Sequence, residues 1–170
     1  MVVADAWALL GTLMDPEVPV VSLVELGVIR DVAKADGHWR VTMTPTYSGC
    51  PAMDVMAADI RAAFAAHGGA AEVVTTLSPA WTTDWMAPEA RSRLHDYGIA
   101  PPHAVAARDS GGVRIDISGL GRARDGGEAI ACPNCGSAST TRLSQFGSTA
   151  CKALYRCDEC REPFDYFKPH

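Results

Sequence analysis

The chain has 170 residues, a formal net charge of −5 at pH 7 and a sequence pI near 5.4, enough for one domain of about 100 residues plus a small appendage. The acidic balance argues against broad phosphate-backbone binding, which needs clustered Lys and Arg, so nucleic acid is not an expected partner. Met1 to Met14 is apolar but carries Asp5, lacks a basic leader and is too short to cross a bilayer, so no membrane is expected and the location read is cytoplasmic, where thiols persist.

Ala6, Leu9, Leu10 and Leu13 follow helical spacing, and Pro16 disfavours helix at Asp15, where a first helix is expected to end. Val28, Arg30 and Val32 alternate, Asp36-Gly37 supplies turn chemistry, and Trp39, Val41 and Met43 alternate again, as in a hairpin. Met53, Met56, Ala57, Ile60 and Phe64 fall on one helical stripe ended by Gly68-Gly69, before a third strand carrying Val73, Thr75 and Leu77. The order is α-β-β-α-β, with a right-handed crossover between parallel second and third strands. The fold class is therefore α/β, a two-layer α+β unit. Pro88 to Tyr97 reads as a short helix stopped by Gly98 and Pro101-Pro102. Val113, Ile115 and Ile117 alternate as an isolated strand or as the stem of the appendage, and Gly119 to Glu128 reads as exposed linker. The expected division is a first domain over 1–108, a linker over 109–129 and the appendage over 130–170.

That appendage carries Cys132-Pro133-Asn134-Cys135 and Cys157-Asp158-Glu159-Cys160. Each two-residue spacing lets a tight turn aim both thiolates at one ion, and two such turns give four sulfurs around a tetrahedral centre. Zinc is the favoured occupant. Iron in a rubredoxin-like site is the chemical alternative, and disulfides rank below both in a cytosolic chain. So small a unit cannot bury enough apolar surface alone, which makes a metal staple physically expected.

Cys50 stands apart, in Thr44-Pro45-Thr46-Tyr47-Ser48-Gly49-Cys50-Pro51, between the second strand and second helix. With Pro51 at the first helical position, Cys50 sits at or beside the N-cap, where the helix dipole should lower its pKa. Thr46 and Ser48 could donate hydrogen bonds to the sulfur, and Asp54 lies one turn on. Asp15 and Glu17, on a Pro-containing turn, could fold over this loop as supporting carboxylates. Cysteine is also often simply buried, and local sequence leaves both readings open. As a ligand Cys50 must borrow partners from another chain, from carboxylates or from another cysteine.

Asp15-Pro16-Glu17-Val18-Pro19-Val20-Val21-Ser22, Leu26 to Val32 and Thr44 to Pro51 resemble the SufT-like iron–sulfur assembly family over roughly the first hundred residues. Leu77 to Met86, Tyr97 to Pro102 and Phe146 to Cys157 narrow the resemblance to the PaaD (PaaJ) family of phenylacetyl-CoA epoxidase accessory subunits. The resemblance implies a SufT-like domain followed by a rubredoxin-like zinc ribbon. It implies a role in maturing or delivering a metal centre, with the iron–sulfur cluster of the system's reductase as the expected target. Cofactors would be ribbon zinc and a transient iron–sulfur cluster or iron held by Cys50. Partners would be the reductase and oxygenase subunits, iron–sulfur assembly proteins and a second copy in a homodimer. The sequence has no Glu-x-x-His pair for a di-iron site and no dinucleotide fingerprint. The alternative is a non-catalytic docking subunit bridging oxygenase and reductase. An enzyme acting through a nucleophilic Cys50 is disfavoured, because no His stands at a position suggesting a base.

Four residues stay ambiguous on sequence. Cys151 lies about 20 Å from Cys157 if a strand joins them, too far to share one ion. It is read either as a free thiol in the ribbon hairpin or, with Lys152, as a surface used with Cys50 or a partner. Trp81 and Trp85 are read as closing a small core in preference to anchoring a partner. His170 is read as solvated.

Overall fold

A computed structural model describes residues 1–35, 37–103 and 129–170. Asp36 of the expected turn, the strand expected around Val113, Ile115 and Ile117, and the linker expected from Gly119 to Glu128 lie outside the described residues.

Helix α1, Val3–Leu10, buries Ala6 and Leu10. It ends well before Asp15: Gly11 caps it, the Thr12 hydroxyl donates to the Leu9 carbonyl at 2.7 Å, and Thr12 and Leu13 N–H groups bond only three residues back. Threonine offers the backbone an alternative to helix, so the apolar spacing outlasts the helix itself. Strands β1, Ile29–Ala35, and β2, His38–Met43, pair antiparallel, and β3, Ala71–Thr75, joins β2 in parallel through helix α2, Met53–Ala66. The sheet order is β1-β2-β3, the predicted α-β-β-α-β arrangement.

A break in register between Ile29 and Asp31 changes the expected face of β1. Val28, Ile29 and Val32 are buried, whereas Arg30 is exposed, its guanidinium 3.4 Å from the Trp85 ring centroid. One extra residue in a bulge turns a side chain to the opposite face. The stripe on α2 is as read, with Met56, Ile60 and Phe64 buried and Met53 and Ala57 partly so. Beyond β3, Leu77 is exposed instead of extending the strand.

Helix α3, Pro88–Asp96, begins with its proline and is followed by Gly98 at φ 87°, a left-handed conformation that glycine adopts without steric cost. Directly after comes β4, Ile99–Ala100, which leaves the first sheet's surroundings and pairs in parallel with β7, Pro163–Phe167. With β5, Thr140–Ser144, and β6, Lys152–Cys157, it forms a second sheet of order β4-β7-β6-β5. The chain before residue 103 and the cysteine ribbon thus share one sheet.

They also share a core. Phe167 and Cys151 of the ribbon belong to the main buried cluster, with Trp81, Leu94 and Ile99. Trp81 tilts against Phe167 at 6.1 Å, and its indole N–H donates to the Leu26 carbonyl at 3.1 Å. Trp81 is therefore a core residue, while Trp85 is half-buried under Arg30. The ribbon's own core is small, chiefly Ala100, Ile130, Ala153, Phe164 and Tyr166 around two cysteines. Among the described residues no helix is long and apolar enough to cross a membrane.

Candidate metal centre and the cysteine seam

The sulfurs of Cys132, Cys135, Cys157 and Cys160 all lie within 4.8 Å of one another. Cys132 and Cys160 are separated by 3.8 Å, and Cys135 and Cys157 by 3.5 Å. A metal–sulfur bond of about 2.3 Å in a tetrahedral tetrathiolate implies sulfur–sulfur edges of about 3.8 Å. The donor set therefore fits a tetrahedral, thiophilic ion, and four thiolates without an open position describe a closed site.

Each pair of ligands sits on a matching turn. The residue after the second cysteine is left-handed in both, Gly136 at φ 76° and Arg161 at φ 68°. Gly136 N–H donates to the Cys132 carbonyl at 2.8 Å, and Cys160 N–H points at the Cys157 sulfur at 3.5 Å. Cys132 and Cys157 are buried, whereas Cys135 and Cys160 are exposed.

The second constellation lies where ribbon meets first domain. Asp15 is buried, 4% exposed, and its carboxylate accepts the N–H groups of Glu17 at 2.7 Å and Val18 at 2.9 Å. This Asx turn fixes the direction of Glu17, whose carboxylate lies 3.8 Å from the Cys151 sulfur. Cys151 is 3% exposed. Its sulfur lies 3.0 Å from the Thr149 hydroxyl, and Lys168 N–H donates to its carbonyl at 3.0 Å. Next in sequence, buried Lys152 pairs with Asp165 at 3.3 Å. Ser148 donates to the same carboxylate at 3.0 Å.

Cys50 is half-buried and packs with Tyr47 on the cluster that contains Cys151. It is not at the N-cap, which is Ala52. Cys50 instead closes a turn in which its N–H donates to the Tyr47 carbonyl at 3.2 Å. The expected lowering of its pKa is overturned. Burial pushes it up, and the Glu17 and Asp15 carboxylates add to that, against the opposing Ala52 N–H and Tyr47 hydroxyl. Two residues removed from the cap, the sulfur gains little from the helix end, whose influence is confined to the first turn.

The same environment acts on its neighbours. Burial raises Asp15, and burial followed by the Asp15 charge raises Glu17. Cys151 is pushed up to about 11, mainly by burial, and Tyr47 to about 12, by burial and then the Cys50 charge. The seam thus brings Asp15, Glu17, Cys50 and Cys151 together as acids held toward their protonated forms.

Of the other predicted residues, Thr46 is buried, while Ser48 and Asp54 are exposed. The hydroxyl that reaches Cys50 is that of Tyr47, which sequence reading passed over although it stands at turn spacing, three residues before the cysteine. A Cβ on Gly49 would meet only the Tyr47 ring, at 3.9 Å, so the space beside this loop is open. Cys151 lies outside the four-sulfur cluster. His170, exposed, lies edge-on to Trp81 at 5.9 Å. Among the described residues the ribbon's four cysteines are the group of three or more possible ligands gathered closely enough to share one ion.

Residues 4–75 match a family described as iron–sulfur cluster assembly protein, and residues 119–168 match the PaaD zinc beta ribbon domain. A crystal structure of the "Domain of Unknown Function DUF59 from Bacillus anthracis" superposes with a TM-score of 0.50 at 28% identity, covering 54% of this chain and 90% of that one. An "Fe-S protein maturation auxiliary factor" of Porphyromonas gingivalis (strain ATCC BAA-308 / W83) is 38% identical over 93 residues, 53% of this chain and 88% of that protein. The D subunit of a "Putative 1,2-phenylacetyl-CoA epoxidase" of Escherichia coli (strain K12) is 48% identical over 169 residues, 98% of this chain and 92% of that protein. An iron–sulfur assembly domain joined to this particular ribbon, aligned almost end to end with that relative, places the chain in the PaaD family of phenylacetyl-CoA epoxidase subunits.

Proposed function

We propose that the chain is a cytoplasmic maturation subunit of the phenylacetyl-CoA epoxidase system, which holds iron or an iron–sulfur cluster transiently at Cys50 and passes it to the reductase component. The observation that carries this reading is the placement of Cys50: a half-exposed sulfur beside an acid-bearing turn, inside the stretch that matches the iron–sulfur assembly family. Asp15 holds the turn and Glu17 offers a carboxylate to the same space. Thr46 and Ser48 on the surrounding loop, and Asp54 in the first turn of α2, are supporting residues. In this reading Cys132, Cys135, Cys157 and Cys160 hold a resident zinc whose role is structural, the assembly domain runs to residue 108, and the ribbon begins at 130.

Comparing the cluster content of the reductase produced with this protein, without it, and with Cys50→Ala tests the proposal. A reductase deficient in cluster in the last two cases supports delivery. Fully loaded reductase and active epoxidase in cells carrying Cys50→Ala would refute it. Freshly purified protein should contain about one zinc per chain, as expected for a tetrathiolate ribbon, and its absence, with no iron in its place, would refute the ribbon assignment.

A docking role has one observation in its favour. Leu143 and Phe146 of the ribbon are 50% and 62% exposed, the kind of apolar surface that partners cover. A Cys50→Ala variant that leaves cluster delivery intact, while a Phe146→Ser variant abolishes binding to the reductase, would favour it.

A further inference from the structure

We propose that Cys151 is a metal ligand in its own right, and that Cys50, Cys151 and the Glu17 carboxylate, contributed by both parts of the chain, form one open site for a single ferrous ion. This deepens the reading of Cys50 as an iron-handling residue and rests on it. Lone Cys50 cannot hold iron, and the structure supplies its missing partner from 101 positions further along the chain.

Three features argue that the seam is built. Cys151 is aimed at a carboxylate, with Glu17 at 3.8 Å, although a buried thiol with only a packing role needs no such neighbour. Both groups are held in place: Asp15 fixes the Glu17 turn through two backbone bonds, and Lys168 and Thr149 fix the Cys151 end of β6. The donors also converge. The Glu17 and Asp15 carboxylates act on both Cys50 and Cys151, and Lys152, the cation that acts on Asp15, Glu17 and Cys151, is already paired with Asp165. A divalent ion that displaced both thiol protons into solvent would leave the net charge of the cluster unchanged and would exchange two S–H bonds for two metal–sulfur bonds, with no change of oxidation state.

Two sulfurs and one carboxylate leave a fourth position free for a donor or acceptor protein. Cys50, on its half-exposed turn, is the arm that closes over the ion, because Cys151 is buried and the Glu17 turn is held by Asp15.

The test uses full-length protein with zinc-filled ribbon, titrated anaerobically with ferrous ion. One additional iron per chain is expected, and X-ray absorption should find two sulfurs and at least one oxygen around it. Affinity should fall at least tenfold in Cys151→Ser and Cys50→Ser alike, and less in Glu17→Gln. Ribbon zinc content reports that the variants remain folded, and the wild-type absorption measurement needs no variant. Iron bound with one sulfur, its affinity lost in Cys50→Ser but untouched in Cys151→Ser, overturns the composite site and leaves the Cys50 reading standing. No additional iron in the wild type, together with undisturbed cluster delivery by Cys50→Ala in cells, overturns both.

Discussion

The ribbon's four cysteines and the seam around Cys50 are both sulfur sites, yet they stand at opposite ends of preorganisation. The four sulfurs already lie within 4.8 Å of one another, each pair set by its own tight turn. The seam has one sulfur fixed and buried, one on a half-exposed loop, and carboxylates instead of further thiols. A site that must release its metal gains from being incomplete, because every ligand added before loading slows departure. A site that must hold a small sheet together gains from closure.

The largest expected effect comes from emptying the closed site. The ribbon's core is too small to support it, and tetrathiolate zinc contributes apparent binding energy on the order of 10 kcal/mol or more to folding. Chelation should abolish hydrogen-exchange protection in β5, β6 and β7 while α2 and β2 stay protected. The shared sheet adds a further expectation. Because β4 pairs with β7 and Phe167 packs on Trp81, chelation should also shift Trp emission to the red and loosen Cys151. Protection that survives chelation throughout β6 would show that the metal is not the staple.

Next is the joint itself. Phe167 is fully buried among first-domain residues, so Phe167→Ala should cost about 3–5 kcal/mol. If the seam couples the two parts, wild-type protein unfolds in one denaturant transition and Phe167→Ala in two. Two transitions already in the wild type would mean that the shared sheet carries little energy.

How much of this was legible depends on whether residues were local to one another. The ribbon ligands were readable because two-residue spacing dictates the turn. The α2 stripe and the element order were readable from periodicity. The bulge at Ile29 and Asp31 carried no composition signal, so the alternation read through Val28, Arg30 and Val32 breaks there, and helix α1 stopped early where Gly11 and the Thr12 hydroxyl compete with it. Glu17 and Cys151 are 134 residues apart, and only the packing of Phe167 and the β4–β7 pairing bring them together. No spacing rule reaches that far.

A smaller effect distinguishes the ribbon's two turns. Arg161 adopts φ 68° where the other turn has glycine. The left-handed region costs a non-glycine residue about 1–2 kcal/mol, partly offset by glycine's greater loss of freedom on folding. Arg161→Gly should therefore stabilise the metal-loaded ribbon by about 0.5–1 kcal/mol. Its midpoint in denaturant should rise, and Gly136→Ala should lower it by a similar amount.

The smallest predicted effect belongs to a residue in neither sulfur site, and it serves as the control for both. Glu25 accepts hydrogen bonds from the Ser22 N–H and hydroxyl and pairs with Arg93 of α3 at 3.1 Å. Burial opposes the carboxylate, but the Ser22 bonds and the Arg93 charge outweigh it and hold its pKa below the ordinary value of 4.5. Because the folded state releases this proton more readily than the unfolded one, the contribution is complete above about pH 4.5 and disappears as pH falls through the lowered folded value. Glu25→Gln should then lower the melting temperature slightly at pH 7, by an amount equivalent to a few tenths of a kcal/mol for a partly exposed pair. Once the pH is below that lowered folded value, the variant and wild type should converge. The same difference should be unchanged by chelation or by ferrous ion, since Glu25 touches neither the ribbon nor the seam. A Glu25→Gln effect that tracked metal loading would show that α3 transmits between them, through β4, which follows it directly.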